Sequence, residues 1–525
     1  MSRKIIDKGT SGTSAVLISR LTGLARDMLI ARFLGGGSVM SAWVLAFRIP
    51  NTFRGLLGEG AATQALIPLL GETIHTKGKE KFRRDLGIML ATLAIILGII
   101  SILTSVICVL LIPVFPVYRV SAALALMPIL MPYTFFVCLT SICSGVLNLF
   151  DKYFLPMLTS VLLNVVIIIS ILIFYYQIPE TLIIKMSWAS LISGVLQLGW
   201  LLYLLKREDA FPTTFKPGGW KTPIVRDFFM LAVPRFFGAA ATQISSLMDS
   251  IMALYISSFA APALYFTERI VFLPIGLFAV SLGNVCLVSM TKHIAENKIS
   301  DVIKDLRYGL RQIIYISVPM AFLFIFYRYP ILNLVYGGNR FGEKSIDETA
   351  WAMLFYCFGI PSFCAIKIIS SAFYAQKDTK TPVKIALWCI LLNFVINLIL
   401  MFPLKQGGIA LGTVISSIVN CLALTYIFKK RHAVSTEGNE VFLCLCKVSF
   451  SSLIAVLISI YTVNFINMIS FITLVDWKGF VSLCLGIMVF CIIYFIINLV
   501  LKLEEQRDWV VLVNSKLGLN QKLKY

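Results

Sequence analysis

Histidine is nearly missing from this chain, with 3 residues in 525. His75, His293 and His432 all fall between apolar segments, which excludes an intramembrane histidine relay or a histidine-based metal centre. Charge is scarce as well. Charged residues make up 14% of the chain while 58% of it is hydrophobic, with a mean hydropathy of +0.88. A soluble domain carries about twice that charge, so soluble classes are excluded and the chain reads as a polytopic membrane protein. A phosphate-binding P-loop is lacking too: the glycines at 35–37 and 337–338 have no following lysine or strand context, which argues against direct ATP use. Acids are outnumbered, 26 against 46 basic residues, for a net charge of +20. No aromatic-plus-basic module accompanies that excess, so nucleic acid is excluded as a partner. The cations concentrate on alternate loops instead, the positive-inside pattern, which places both termini in the cytoplasm. A cleavable signal is not expected, because arginines interrupt the segment behind the basic start MSRKIIDKG. Of the 12 cysteines most lie inside apolar segments, where the thiol behaves as a small hydrophobe. Cys444-x-Cys446 has no nearby histidine and reads as packing rather than metal binding.

A membrane crossing needs about 20 apolar residues, and on that rule the chain is all-α with about fourteen transmembrane helices. Six fill residues 1–205, the N-terminal lobe. A linker at 206–227, KREDAFPTTFKPGGWKTPIVR and the residue after it, marks a boundary with proline, glycine and basic residues. Six more fill the C-terminal lobe at 228–431. Two extra helices follow within 432–503, and 504–525 is a cytoplasmic tail, read as a short interfacial helix or a frayed end.

The two sets of six repeat each other. FRIPNTFRGLLGEGAATQALIPLL lies on TERIVFLPIGLFAVSLGNVCLVSM, pairing Arg48 with Arg269. SGVLQLGWLLYLLKR lies on SSIVNCLALTYIFKK, pairing Gln197 with Asn420, and SGVLNLFDKYFLP resembles SSAFYAQKDTKTP. These offsets fall between about 221 and 226 residues, too consistent for chance likeness among apolar helices. Six spans per copy keep both copies in one orientation, so the sequence predicts two pseudo-repeat lobes around a central site.

Charges inside the spans carry the chemistry. Arg20, Arg26, Asp27, Arg32, Arg48, Arg54 and Glu59 crowd the first two spans, and Arg235, Asp249, Glu268, Arg269 and Lys367 occupy the second set. A charge at bilayer centre costs about 2.5–3.5 kcal/mol on insertion scales, so these groups must line a hydrated cavity. Internal salt bridges account for some: Arg26 with Asp27, Arg54 with Glu59, Arg269 with Glu268. Eight cations against four acids leave a positive excess. Seven of the eight are arginines, whose planar fork suits bidentate contact with phosphate oxygens. The expected ligand is therefore anionic and membrane-borne.

SRLTGLARD, RIPNTFRGLLGEGAATQALIP, TQISSLMDS and YAQKDTKTPVKIA resemble the signature stretches of the MurJ (MviN) family, lipid II flippases of the multidrug/oligosaccharidyl-lipid/polysaccharide exporter superfamily. The resemblance covers residues from about 10 to 430. It implies movement of undecaprenyl-diphosphate-linked disaccharide-pentapeptide, lipid II, across the bacterial plasma (inner) membrane by a multi-pass transporter that is not an enzyme. The family's cavity arginines map onto Arg20, Arg26, Arg54 and Arg269, with Glu59 in the EGA motif and Lys367 in the tenth span; Arg48 and Asn51 complete the expected site. The last two helices are the expected groove for the lipid tail. Membrane lipid and other cell-wall synthesis proteins are the further partners it implies. Three positions depart from the family: Ser41 and Phe272 replace acids, and Arg235 is an added cation, all of which make the site more positive.

A second set, Asp249, Asn393, Asn397 and Thr413, offers oxygen ligands for a monovalent cation, since Asn393 and Asn397 share a helix face; the family resemblance implies sodium as that ion. Interhelical hydrogen bonding explains the same residues without an ion. No other cofactor is expected. Alternative functions are a flippase for another polyprenyl-diphosphate oligosaccharide and a cation-coupled multidrug exporter of the same fold. The latter would need an acidic or aromatic cavity, and this one is basic.

Overall fold

The computed structural model describes residues 2–58, 61–432, 439–469, 478–508 and 510. Glu59 and most of the tail, 509 and 511–525, lie outside the described residues, as do the stretches 433–438 and 470–477. The described residues are 88% helical, with no strand among them. Its helices are α1 (Ser2–Leu34), α2 (Ser38–Phe53), α3 (Ala61–Thr76), α4 (Gly78–Leu111), α5 (Tyr118–Asn148), α6 (Phe154–Met157), α7 (Thr159–Ile173), α8 (Pro179–Arg207), α9 (Pro223–Ile256) and α10 (Ala260–Pro274). They continue as α11 (Val280–Ala295), α12 (Ile299–Phe326), α13 (Arg328–Tyr336), α14 (Glu343–Phe358), α15 (Ile360–Ala375), α16 (Lys380–Leu404), α17 (Gln406–Arg431), α18 (Asn439–Ile469) and α19 (Lys478–Val500).

Among the described residues ten helical stretches are long and apolar enough to cross a membrane, or eleven if α14 and α15, bent by 41°, make one span. α1, α2, α3 and α9 are not among the ten. The physical reason is plain for the first three. α1 carries the arginine-rich sequence, and α2 and α3 are only 16 residues each. A π-helical turn, Arg54–Gly58, follows α2 directly, and a second, Ile275–Ala279, joins α10 to α11. The two turns start 221 positions apart, the spacing that pairs Arg48 with Arg269. Another local match occurs at Asp151 and Lys377, both left-handed at φ 60°. Each closes a helix with the same backbone bond, Lys152 N–H to Leu147 O (3.2 Å) and Asp378 N–H to Phe373 O (3.0 Å).

Two compact units divide the chain. The first is Met1–Pro262 with Tyr336–Ser345. α5 is central to it, packing on α2, α4 and α8, while α9 packs on α2 and α3. Its core gathers Leu66 and Leu70 of α3, Phe82 and Met89 of α4, Ile142 and Val146 of α5, Leu204 of α8 and Phe228 of α9. α1 stops at Gly35, where φ is +77° and an added Cβ would lie 2.4 Å from the Arg340 carbonyl oxygen, so no larger residue fits there.

The second unit is Ala263–Val335 with Ile346–Tyr525. α15 packs on α11, α12 and α17, α16 pairs with α17, and α18 packs on α12 and α19. Polar clasps hold α18 and α19 to α12. Arg311 of α12 bonds Glu505, Glu504 (2.8 Å) and Glu440 (3.5 Å), and Gln312 Nε2 donates to Asp508 (3.1 Å). Further along, Tyr494 donates to the Tyr315 carbonyl (2.8 Å), and Tyr327 and Ser459 share a hydroxyl–hydroxyl bond of 2.6 Å.

Candidate functional site

In the first unit the expected site cations lie on α1, on α2 and the turn after it, and, for Arg235, on α9. Arg26 and Asp27 are 7% and 1% exposed, neighbours in sequence and in space. Asp27 Oδ1 accepts from Arg26 Nε (3.0 Å) and Nη2 (2.7 Å), while Nη1 donates to Asn164 Oδ1 (3.0 Å). The Asn164 amide then donates to Ser19 O (3.2 Å) and Thr22 Oγ1 (3.1 Å). A buried ion pair recovers its desolvation cost only when added hydrogen bonds complete it, and Asn164 supplies them from α7. This guanidinium therefore fixes α1 to α7. Sequence reasoning missed Asn164; its one signal was an amide inside the apolar run VLLNVVIII. Arg20 is half-buried six residues earlier on α1, and Arg32 is exposed.

On α2, Arg48 Nη2 donates to the Ser246 carbonyl (3.1 Å) and to the Ser246 hydroxyl of α9. Asn51 turns back on its own helix, donating to Phe47 O (2.9 Å). Arg54 opens the π-helical turn and is half-buried. The turn is hemmed in: an added Cβ on Gly55 would sit 2.7 Å from the Gln243 amide, and one on Gly58 would meet Ser141 and Cys138. Such wide turns recur at functional sites because they aim side chains and free carbonyls differently from an α-helix. Asp249 is half-buried on α9, one turn beyond Ser246. At the departure position Ser41, the hydroxyl donates to Ser258 O (2.6 Å), a contact that a carboxylate would oppose. Arg235 is half-buried and donates to Leu231 O at 3.4 Å.

In the second unit Arg269 is exposed and its guanidinium lies 4.8 Å over the Tyr265 ring. A cation over an aromatic face is held there by the ring's negative face. Glu268 accepts from the Tyr356 hydroxyl at 3.5 Å. Phe272, the second departure, joins an aromatic group with Phe363 (5.5 Å) and Tyr356 (6.4 Å). Lys367 is exposed on α15. Asn393 and Asn397, 5% and 0% exposed, bond each other at 3.3 Å, and Asn393 donates to Thr413 Oγ1 at 3.3 Å. The three side chains from α16 and α17 form one hydrogen-bonded group, whereas Asp249 belongs to the first unit.

Comparison with known proteins places this architecture. A probable lipid II flippase MurJ of Rickettsia prowazekii (strain Madrid E) is 30% identical over 451 residues, covering 84% of this chain and 88% of that one. A solved structure of lipid II flippase MurJ in an inward closed conformation superposes with a TM-score of 0.77 at 24% identity, over 94% of this chain and 99% of that one. An inward-facing MATE family multidrug resistance transporter of the MOP superfamily shares the fold more distantly, with a TM-score of 0.65 at 17% identity over 80% of this chain and 96% of that one. The family model described as lipid II flippase MurJ matches residues 30–476, and the chain belongs to that family.

Proposed function

We propose that this chain is a multi-pass transporter that carries lipid II from the inner to the outer leaflet of the bacterial plasma membrane. The family match over residues 30–476, on a chain whose α1, α2 and α10 bear the arginines, carries that reading. Fourteen spans follow from counting α1, the α2–α3 pair, α9 and the bent α14–α15 pair with the ten apolar stretches. The paired π-helical turns and the paired left-handed turns support two six-span repeats. Both termini then lie in the cytoplasm, with the basic loops.

Alternating access between those repeats brings the diphosphate to Arg20, Arg54, Arg269 and Lys367. Arg26, bonded through both edges of its fork, sets the position of α1 and so of Arg20. Arg48 and Asn51 brace α2 ahead of Arg54. The undecaprenyl chain remains in lipid along α18 and α19, whose outer faces expose Phe450, Leu457, Tyr461, Ile492 and Phe495. Membrane potential, about 2.3 kcal/mol per charge per 100 mV, suffices to drive a charged cycle.

The test is complementation of cells depleted of their own lipid II flippase. The chain restores growth, and Arg54→Ala and Arg269→Ala abolish rescue at unchanged membrane abundance. Growth at the parental rate by both variants would overturn the assignment of these arginines.

A further inference from the structure

The segment between α8 and α9, residues 208–222, has the composition of a loose tether, yet it is strapped along α4. Arg83 Nε donates to Phe211 O (2.8 Å), and Gly218 N–H donates to Thr92 Oγ1 (2.9 Å). The Thr214 carbonyl oxygen lies 1.8 Å from where a Cβ on Gly87 would be, so α4 keeps a glycine to let the strap's backbone touch it. Its acids are engaged as well. Asp209 pairs with Lys79 (3.2 Å) and Arg83 (3.1 Å), and Glu208 pairs with Lys152 (3.1 Å).

What the strap turns outward is two aromatic–cation doublets. Phe215 and Trp220 are 54% and 63% exposed, and each is followed by an exposed lysine, Lys216 and Lys221. Among the described residues neither lysine has an ion-pair partner. Trp220 stacks on Phe229 of α9, centroids 6.2 Å apart, and the exposed apolar side chains Met230 and Val233 follow on that helix. The strap thus sits where an apolar helix flank begins, with rings beside that flank and ammonium groups beside the rings.

We propose that this strap is an interfacial anchor for anionic phospholipid. Phe215 and Trp220 occupy the border between headgroups and acyl chains, where aromatic rings concentrate, and Lys216 and Lys221 contact lipid phosphates. Each lysine near an anionic surface strengthens attachment about fivefold, the equivalent of ~1 kcal/mol. A cytosolic protein is the less favoured occupant. A protein partner would have to cover a strap lying against the membrane flank of α9.

Photocrosslinking tests this on the full chain, with Phe215 replaced by p-benzoylphenylalanine, in nanodiscs of phosphatidylglycerol or of phosphatidylcholine. Mass spectrometry is expected to find phospholipid adducts on the strap, several times more in phosphatidylglycerol. The Lys216→Glu/Lys221→Glu pair should remove that preference while leaving the melting temperature unchanged, because the strap is tied down by its backbone and by Asp209. Absence of lipid adducts, equal yields in the two lipids, or adducts in whole cells with a cytosolic protein and none with lipid would each overturn it.

Discussion

Replacing Asn164 by alanine should loosen α1 without touching any residue proposed to meet substrate. Asn164 is 5% exposed and makes three bonds, one with the Arg26 guanidinium and two with Ser19 and Thr22. A hydrogen bond to a charged group contributes about 1.5–3 kcal/mol. Neutral side-chain bonds between membrane helices average only about 0.6 kcal/mol. The loss should therefore come to about 3 kcal/mol, most of it from the single bond to Arg26. Heat unfolding of the purified protein in detergent, followed by tryptophan fluorescence, should show Asn164→Ala melting several degrees lower. The Thr22→Ala variant, which removes one neutral bond, should shift far less. The double variant Asn164→Ala/Thr22→Ala should fall short of the sum, because the two residues share a bond. A melting temperature for Asn164→Ala within a degree of the parent would refute the anchor role of the Arg26–Asn164 contact.

The clasp on α12 makes a ranked prediction. Glu505 is 1% exposed whereas the Glu504 and Glu440 side chains are 77% and 59% exposed, so Arg311→Ala should be costly, up to about 3–5 kcal/mol, through Glu505 alone. Glu504→Gln and Glu440→Gln should each cost under about 1 kcal/mol; hydrogen exchange across α19 reads the difference. At the turn before α16, bonds from the Thr381 hydroxyl and backbone N–H, then from Arg431, hold the Asp378 carboxyl well below its usual range. A lowered acid stabilises the fold above its unfolded value, near 3.9, and loses that contribution as pH falls toward the folded value. The melting temperature should therefore drop on acidification below about pH 4, and Asp378→Asn should be less stable at neutral pH but flatter across that acid range.

The sequence made some of this legible and hid the rest for a physical reason. Apolar length is a local property, so the helices from α4 to α8 and α16 to α19 could be read directly. The family signatures were local strings too. Partner choice is not local. Nothing in TSVLLNVVIII says that its amide meets Arg26, 138 positions away in the chain, and Arg48 finds Ser246 across a gap of 198. A helix in lipid also lacks the polar outer face that would reveal its orientation, so the faces of α2, α9 and α10 could not be assigned. The Arg26–Asp27 pair was the exception, because its two members are adjacent. The strap on α4 was hidden by its own composition, since proline and glycine usually signal freedom.

The wide turns after α2 and after α10 have one more consequence. Each absorbs a residue beyond what a regular helix would hold at that point. Losing one residue within the turn Ile275–Ala279, which runs straight into α11, would leave an uninterrupted helix with everything downstream still facing its present neighbours. The same deletion elsewhere in those helices would swing the remainder through about 100°, carrying each side chain beyond it off its partner.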